Sequence, residues 1–128
     1  MTASGALRIA IVVEDEWLVR MEIAEALETA GWTVHEAGSG EEALILSENQ
    51  THVDLLVTDI RLHGPMTGWD VAELYRAVWP QIPVIYASAN PSIEARLVPG
   101  GVFLGKPTRM TELVALGERL WTSARGGA

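Results

Sequence analysis

Short apolar runs alternate with longer amphipathic stretches along the chain. Residues 7–13 (LRIAIVV) are brief, β-branched and without polar alternation, the pattern of a strand buried on both faces. Residues 16–31 (EWLVRMEIAEALETAG) follow a helical period, with Val19, Ile23, Ala26, Leu27 and Ala30 on one face and Gly31 as the stop. Residues 32–37 (WTVHEA) predict a second strand, polar enough to belong at a sheet edge. A helix over 40–50 and a buried strand over 53–58 come next. A loop over 59–68 leads to a helix over 69–79 that Pro80 closes. Strands over 82–87 and 101–105 and a last helix over 108–124 complete the series.

Five such alternations predict right-handed βαβ units and an α/β fold, a parallel sheet covered on both faces. With the polar second strand at an edge, the expected arrangement is doubly wound and flavodoxin-like, in the order 2-1-3-4-5. The fourth crossover is short. After about five residues for strand five, roughly a dozen remain between Ser88 and Lys106. Asn90-Pro91 suits a helix start, and Pro99-Gly100-Gly101 must end it. A shortened fourth helix, at most Ser92 to Leu97, is therefore expected, with a groove left open beside strand five.

Length and composition narrow the class. The 128 residues suit a single domain, 1–128, with its core over about 7–124. There is no cysteine, which excludes disulfides and thiolate metal sites. A net charge of −8 argues against nucleic acid or an anionic membrane as the main partner. The first residues lack a basic n-region and their apolar run is too short for a membrane span, so a cytoplasmic location is expected.

In a sheet of this order, ligands bind beyond the carboxyl ends of the strands, at the switch point between the first and third. Strand one ends at Glu14, Asp15 and Glu16, strand three at Asp59, strand four at Ser88 and strand five at Lys106. Taken singly, each has an ordinary explanation: acids at a helix start, a turn aspartate, a turn hydroxyl, a solvated ammonium. Together they form a constellation. Clustered carboxylates need a cation among them, and hard oxygen donors without sulfur or imidazole suit Mg²⁺. A hydroxyl and a compact ammonium facing them could hold phosphoryl oxygens. That gives a reason for Lys106, the one lysine beside eight arginines. His35, His52 and His63 show no ligand spacing and read as surface or loop residues. The five tryptophans read as packing.

With these residues in hand, the chain resembles the receiver domain of two-component response regulators over nearly its whole length. VVEDE resembles the family's acidic pair, VTDIRL its phosphoacceptor segment, YASAN its hydroxyl position and FLGKP its lysine and following proline. The loop DIRLHGPMTGWD reaches Gly68 about one residue late and resembles a stand-alone subgroup with a GPMTGWD-like loop. The resemblance implies a phosphorelay protein that takes a phosphoryl group onto Asp59 from a sensor histidine kinase or histidine phosphotransfer protein. It implies Mg²⁺ held by Asp15, Asp59 and the backbone carbonyl of Arg61, with Glu14 acting through water. Lys106 and Ser88 would bind phosphoryl oxygens, and Phe103 stands where the family has an aromatic switch. Signalling to an unknown downstream protein would follow by binding, without enzymatic activity beyond the domain's own phosphorylation and dephosphorylation.

Trp17, Leu18 and Met21 lie off the buried stripe of the first helix, beside this site. With Pro107 they are the expected surface for the kinase's helical bundle. A cis Lys106–Pro107 bond is expected where the lysine turns back toward Asp59. A receiver fold that only docks, without phosphorylation, is the alternative. A flavin carrier would need a phosphate loop where three acids stand, and a phosphohydrolase would need Asp-x-Asp where Glu14-Asp15-Glu16 stands.

Overall fold

The computed structural model of the chain describes residues 7–89 and 96–126. Within them, β1 (Ile9–Val13), α1 (Trp17–Thr29), β2 (Thr33–Ala37), α2 (Gly40–Asn49), β3 (Leu55–Thr58), α3 (Gly68–Val78), β4 (Val84–Ser88), β5 (Val102–Gly105) and α4 (Met110–Gly126) follow one another. The strands are all parallel and lie in the order β2-β1-β3-β4-β5. This is the expected flavodoxin-like sheet.

The absence of polar alternation in β1 has its reason in this placement. Ile9, Ile11 and Val13 face one core cluster with Ala43 of α2 and Val71, Ala72 and Tyr75 of α3. Ala10 and Val12 face a second cluster with Ile23 and Leu27 of α1 and Leu113 and Leu116 of α4. Each valine, leucine or isoleucine side chain among these taken from water contributes about 1.5–3 kcal/mol before entropy costs. β2 and β5 border the sheet and are only partly buried, which explains the polar residues of β2.

Several boundaries differ from the sequence pattern. Strand one starts at Ile9, because the pairing to Asp54 begins there: Ile9 N donates to Asp54 Oδ2 (2.9 Å) and Asp54 N to Ile9 O (2.8 Å). Leu7 stays exposed. On α1 the buried stripe is Ile23, Ala24 and Leu27. Ala26 and Ala30 are half-buried instead and line a groove between α1 and α4. Gly31 does stop α1, at a φ of 100°.

The loop ahead of α3 is closely held. Thr67 caps α3 by accepting from Asp70 N (3.3 Å), while Asp70 Oδ2 accepts from Thr67 N (2.8 Å), a reciprocal pair worth about 1 kcal/mol. Gly68 N donates to Ile60 O at 2.7 Å, and a Cβ on Gly68 would overlap the carbonyl oxygen of Asp59. The glycine that comes late in the sequence is thus the one that lets the loop close back on Asp59.

The expected shortened fourth helix and its start at Asn90-Pro91 fall mainly on residues 90–95, outside the described residues. The end of that crossover is described. Gly100, at a φ of 78°, forms a turn in which Gly101 N donates to Val98 O (2.8 Å) just before β5. Among the described residues, no helix is long and apolar enough to cross a membrane.

Candidate functional site

Backbone hydrogen bonds that run past the strand ends bring the distant residues together. Glu14 N donates to Ala37 O (3.0 Å), Asp59 N to Val13 O (2.9 Å) and Lys106 N to Ser88 O (2.9 Å). Each site residue therefore follows a sheet hydrogen bond, and rigid elements set its position. The Lys106–Pro107 peptide is cis, as expected.

The side chains border a cleft of about 610 Å³, lined by Glu14, Asp15, Glu16, Asp59, Arg61, His63, Ser88, Ala89 and Lys106. All six residues read at the strand ends (Glu14, Asp15, Glu16, Asp59, Ser88 and Lys106) line it, and so does Arg61. Glu14, Asp59 and Ser88 are buried and Asp15 is half-buried. Glu14, Asp15 and Asp59 can each place a carboxylate oxygen within 4.8 Å of the others.

The cation among these acids is Lys106. Its Nζ donates to Glu14 Oε1 (2.6 Å) and to Asp59 Oδ2 (3.0 Å). The second oxygens are also bonded: Asp59 Oδ1 accepts from Ile60 N (2.7 Å) and Glu14 Oε2 from Glu16 N (3.2 Å). Burial, with the nearby Asp59 charge, pushes Glu14 up to about 7 against the pull of Lys106. Burial works against the Lys106 ammonium as well, but its hydrogen bonds to Glu14 and Asp59 outweigh that and hold it above its usual value.

Phe103 is partly buried and packs on the cluster shared with α2 and α3. Opposite it in the sheet register stands Tyr86, fully buried, its ring 5.0 Å from that of Trp69. Tyr86 is two residues before Ser88, and its hydroxyl accepts from Val98 N at 3.0 Å. Trp17, Leu18 and Met21 are 64%, 58% and 45% exposed, and Pro107 is exposed.

Two site neighbours escape a reading by residue type. Arg20 donates to the Glu14 carbonyl (2.8 Å, Nη1) and to Glu36 Oε1 (3.1 Å, Nε), which ties the end of β1 to α1 and β2. His63 was expected to be a loop residue without a site; it is exposed, but its Nδ1 lies 3.3 Å from Asp15 Oδ2 in the cleft. Its signal was position, four residues beyond Asp59 in a loop that must return to the strand ends.

The profile of the response regulator receiver domain matches residues 10–116. The chain belongs to the response regulator receiver domain family. Over 115 residues this receiver domain is 38% identical to the sensor kinase CckA of Brucella abortus, covering 86% of the chain and 12% of the kinase. It is 30% identical over 116 residues to a probable transcriptional regulatory protein, TcrX, of Mycobacterium tuberculosis, covering 88% of the chain and 49% of that protein. The chain thus spans half or less of the length of these relatives. A response regulator receiver protein of Sinorhizobium medicae superposes with a TM-score of 0.89 at 28% identity, covering 94% of this chain and 99% of that one. Receiver membership places the domain in two-component signalling.

Proposed function

We propose that this receiver domain accepts a phosphoryl group on Asp59 from a phosphohistidine of a sensor kinase or phosphotransfer protein. The observation that carries the reading is the double contact of Lys106 with Glu14 and Asp59, in a cleft that Asp15 and Ser88 also line. A carboxylate oxygen of Asp59 attacks phosphorus, the phosphorus–nitrogen bond of the donor breaks, and the imidazole leaves with its bonding pair. Lys106 turns from its carboxylate partners to a phosphoryl oxygen, and Ser88 donates its hydroxyl to another. Ile60 N, already bonded to Asp59 Oδ1, holds the carboxylate in one orientation.

The oxygen donors of Glu14, Asp15 and Asp59 fit Mg²⁺, since three carboxylates converge without a soft ligand among them. Asp15 and Asp59, with the carbonyl of Arg61 and with Glu14, would hold it. Bound there, it supplies charge neutralisation for the phosphoryl oxygens.

Phosphorylation then draws Ser88 and Lys106 inward, and Phe103, which lacks a hydroxyl, follows by packing alone. Trp17, Leu18 and Met21 on α1, with Pro107, form the surface that meets the kinase, and output passes to a protein partner by binding.

Incubation with a small phosphodonor and Mg²⁺ tests the reading by intact mass. One acid-stable, base-labile phosphoryl group is expected on the wild type and none on Asp59→Asn. Equal labelling of both would sink it.

A further inference from the structure

Arg20 reaches from α1 to the end of β1 and holds the turn that carries the acids. The β1–β2 register ends at Val13 and Ala37, and Glu14 N still donates to Ala37 O (3.0 Å). The carbonyl of Glu14 takes its donor from a side chain instead, Arg20 Nη1 at 2.8 Å. The same guanidinium donates from Nε to Glu36 Oε1 of β2 (3.1 Å). A rigid planar fork suits two acceptors held at fixed positions. Gly38 leaves the space for it, since a Cβ there would stand 3.1 Å from Nη1.

A bond to this carbonyl matters because a peptide unit is planar. Fixing the Glu14 oxygen fixes the plane that also contains the nitrogen and Cα of Asp15. On the other side of Asp15, Glu16 N donates to Glu14 Oε2 (3.2 Å) and Glu16 O accepts from Arg20 N (2.9 Å). The turn is thus held before and after Asp15, whose carboxylate can lie within 4.8 Å of those of Glu14 and Asp59. The Arg20 charge is matched by Glu36, so the guanidinium serves the turn with little net positive charge beside a cation site.

We propose that Arg20 is a positioning residue for the divalent ion of this cleft: through the Glu14 carbonyl it sets the Asp15 carboxylate for Mg²⁺. The inference deepens the phosphoacceptor reading above and rests on it for the use of the ion. Arg20 itself touches neither the ion nor the phosphoryl group. Its charge and its hydrogen bond make opposite predictions. Removal of a cation near the site would tighten Mg²⁺ binding by Coulomb's law, whereas release of the carbonyl would weaken it.

Calorimetric titration of the whole chain with Mg²⁺, well below the melting temperature, tests it for wild type, Arg20→Met, Arg20→Lys and Arg76→Met. Arg20→Met should bind Mg²⁺ about tenfold more weakly. Arg20→Lys, which keeps a donor for the carbonyl, should recover part of that loss. Arg76→Met is the control: Arg76 Nε donates to another backbone carbonyl, Ile82 O (2.8 Å), ahead of β4 at the opposite end of the sheet, and its loss should leave Mg²⁺ affinity unchanged. Unchanged or tighter binding by Arg20→Met, a lysine variant no better than the methionine one, or an equal loss in Arg76→Met overturns the proposal. Should Arg20→Met not fold, Arg20→Lys carries the test: binding weaker than wild type is expected, and equal or tighter binding overturns it. A wild type that binds no Mg²⁺ removes the metal reading and this inference with it, whereas binding that ignores Arg20 counts against this inference alone.

Discussion

The ammonium of Lys106 lies nearer to Glu14 Oε1 (2.6 Å) than to Asp59 Oδ2 (3.0 Å). One cation therefore balances two buried acids, and the residue that is to meet the phosphoryl group begins in contact with the nucleophile. Lys106→Met leaves both carboxylates buried and facing each other. Because the lysine side chain is partly solvated, a loss of about 1–3 kcal/mol is expected in metal-free protein. Mg²⁺ should restore part of that stability, since it supplies the missing charge. Thermal melts with and without the ion read this, and a variant that melts with the wild type in both conditions would refute it.

Glu14 makes stability pH-dependent in a direction unusual for a carboxylate. Its folded pKa is raised to about 7 from 4.5, so below 4.5 the proton is bound in both states and the full stabilisation is present. Between 4.5 and about 7 the folded state keeps a proton that the unfolded chain has released, and stability falls as pH rises. The slope is at most ~1.4 kcal/mol per pH unit for one group. Denaturant titrations of metal-free protein across this window should show the fall, and Glu14→Gln should flatten it. A wild-type contribution that grows with pH there would contradict the assignment.

How much of this was legible in the sequence follows from what each feature depends on. The sheet order could be read because burial leaves its mark on each strand: β1 is apolar throughout and β3 is apolar up to Thr58, whereas the edge strand β2 carries Thr33, His35 and Glu36. The site residues could be located because a parallel sheet brings all its carboxyl ends to one side, whatever their separation in sequence. Side-chain partners could not. That Lys106 pairs with Glu14 across 92 positions, that Arg20 holds the Glu14 carbonyl, and that His63 meets Asp15 depend on side-chain reach and on the loop path. No period or spacing encodes these. The offset Gly68 looked like a departure until its contact with the Asp59 backbone showed why a glycine stands there.

That contact makes a sharp test. A methyl group on Gly68 must displace the Asp59 carbonyl, because the atoms it meets are backbone of Asp59 and Ile60 and not the end of a flexible side chain. Gly68→Ala should cost at least about 1–3 kcal/mol and move the nucleophile. The small-donor labelling rate should fall further than the fraction folded accounts for. Full stability with a wild-type labelling rate would show that the loop accommodates the methyl group.

Met21 lies exposed on α1, outside the buried stripe. Met21→Arg places a cation on the proposed kinase surface without disturbing the core. Phosphotransfer from the kinase should slow, while labelling by a small phosphodonor should remain as in the wild type. A parallel fall in both rates would make the residue structural.

Tyr86 connects the hydroxyl position to the crossover. Its ring is enclosed with Trp69, and its phenol oxygen is the acceptor for Val98 N. Ser88 lies two residues further along the same strand, and Phe103 lies opposite Tyr86 in the register. A displacement of Ser88 toward Asp59 therefore pulls on the strand that anchors the end of the crossover. Tyr86→Phe keeps the ring packing and removes the acceptor, leaving the buried Val98 N–H unpaired at about 1–3 kcal/mol. Amide exchange at Val98 should accelerate by about 5- to 150-fold if that cost falls on local opening. In wild type the same amide should exchange faster on phosphorylation of Asp59, and in the variant phosphorylation should make little further difference. Exchange at Val98 that ignores both the substitution and the phosphoryl group would show that this hydrogen bond carries no signal out of the site.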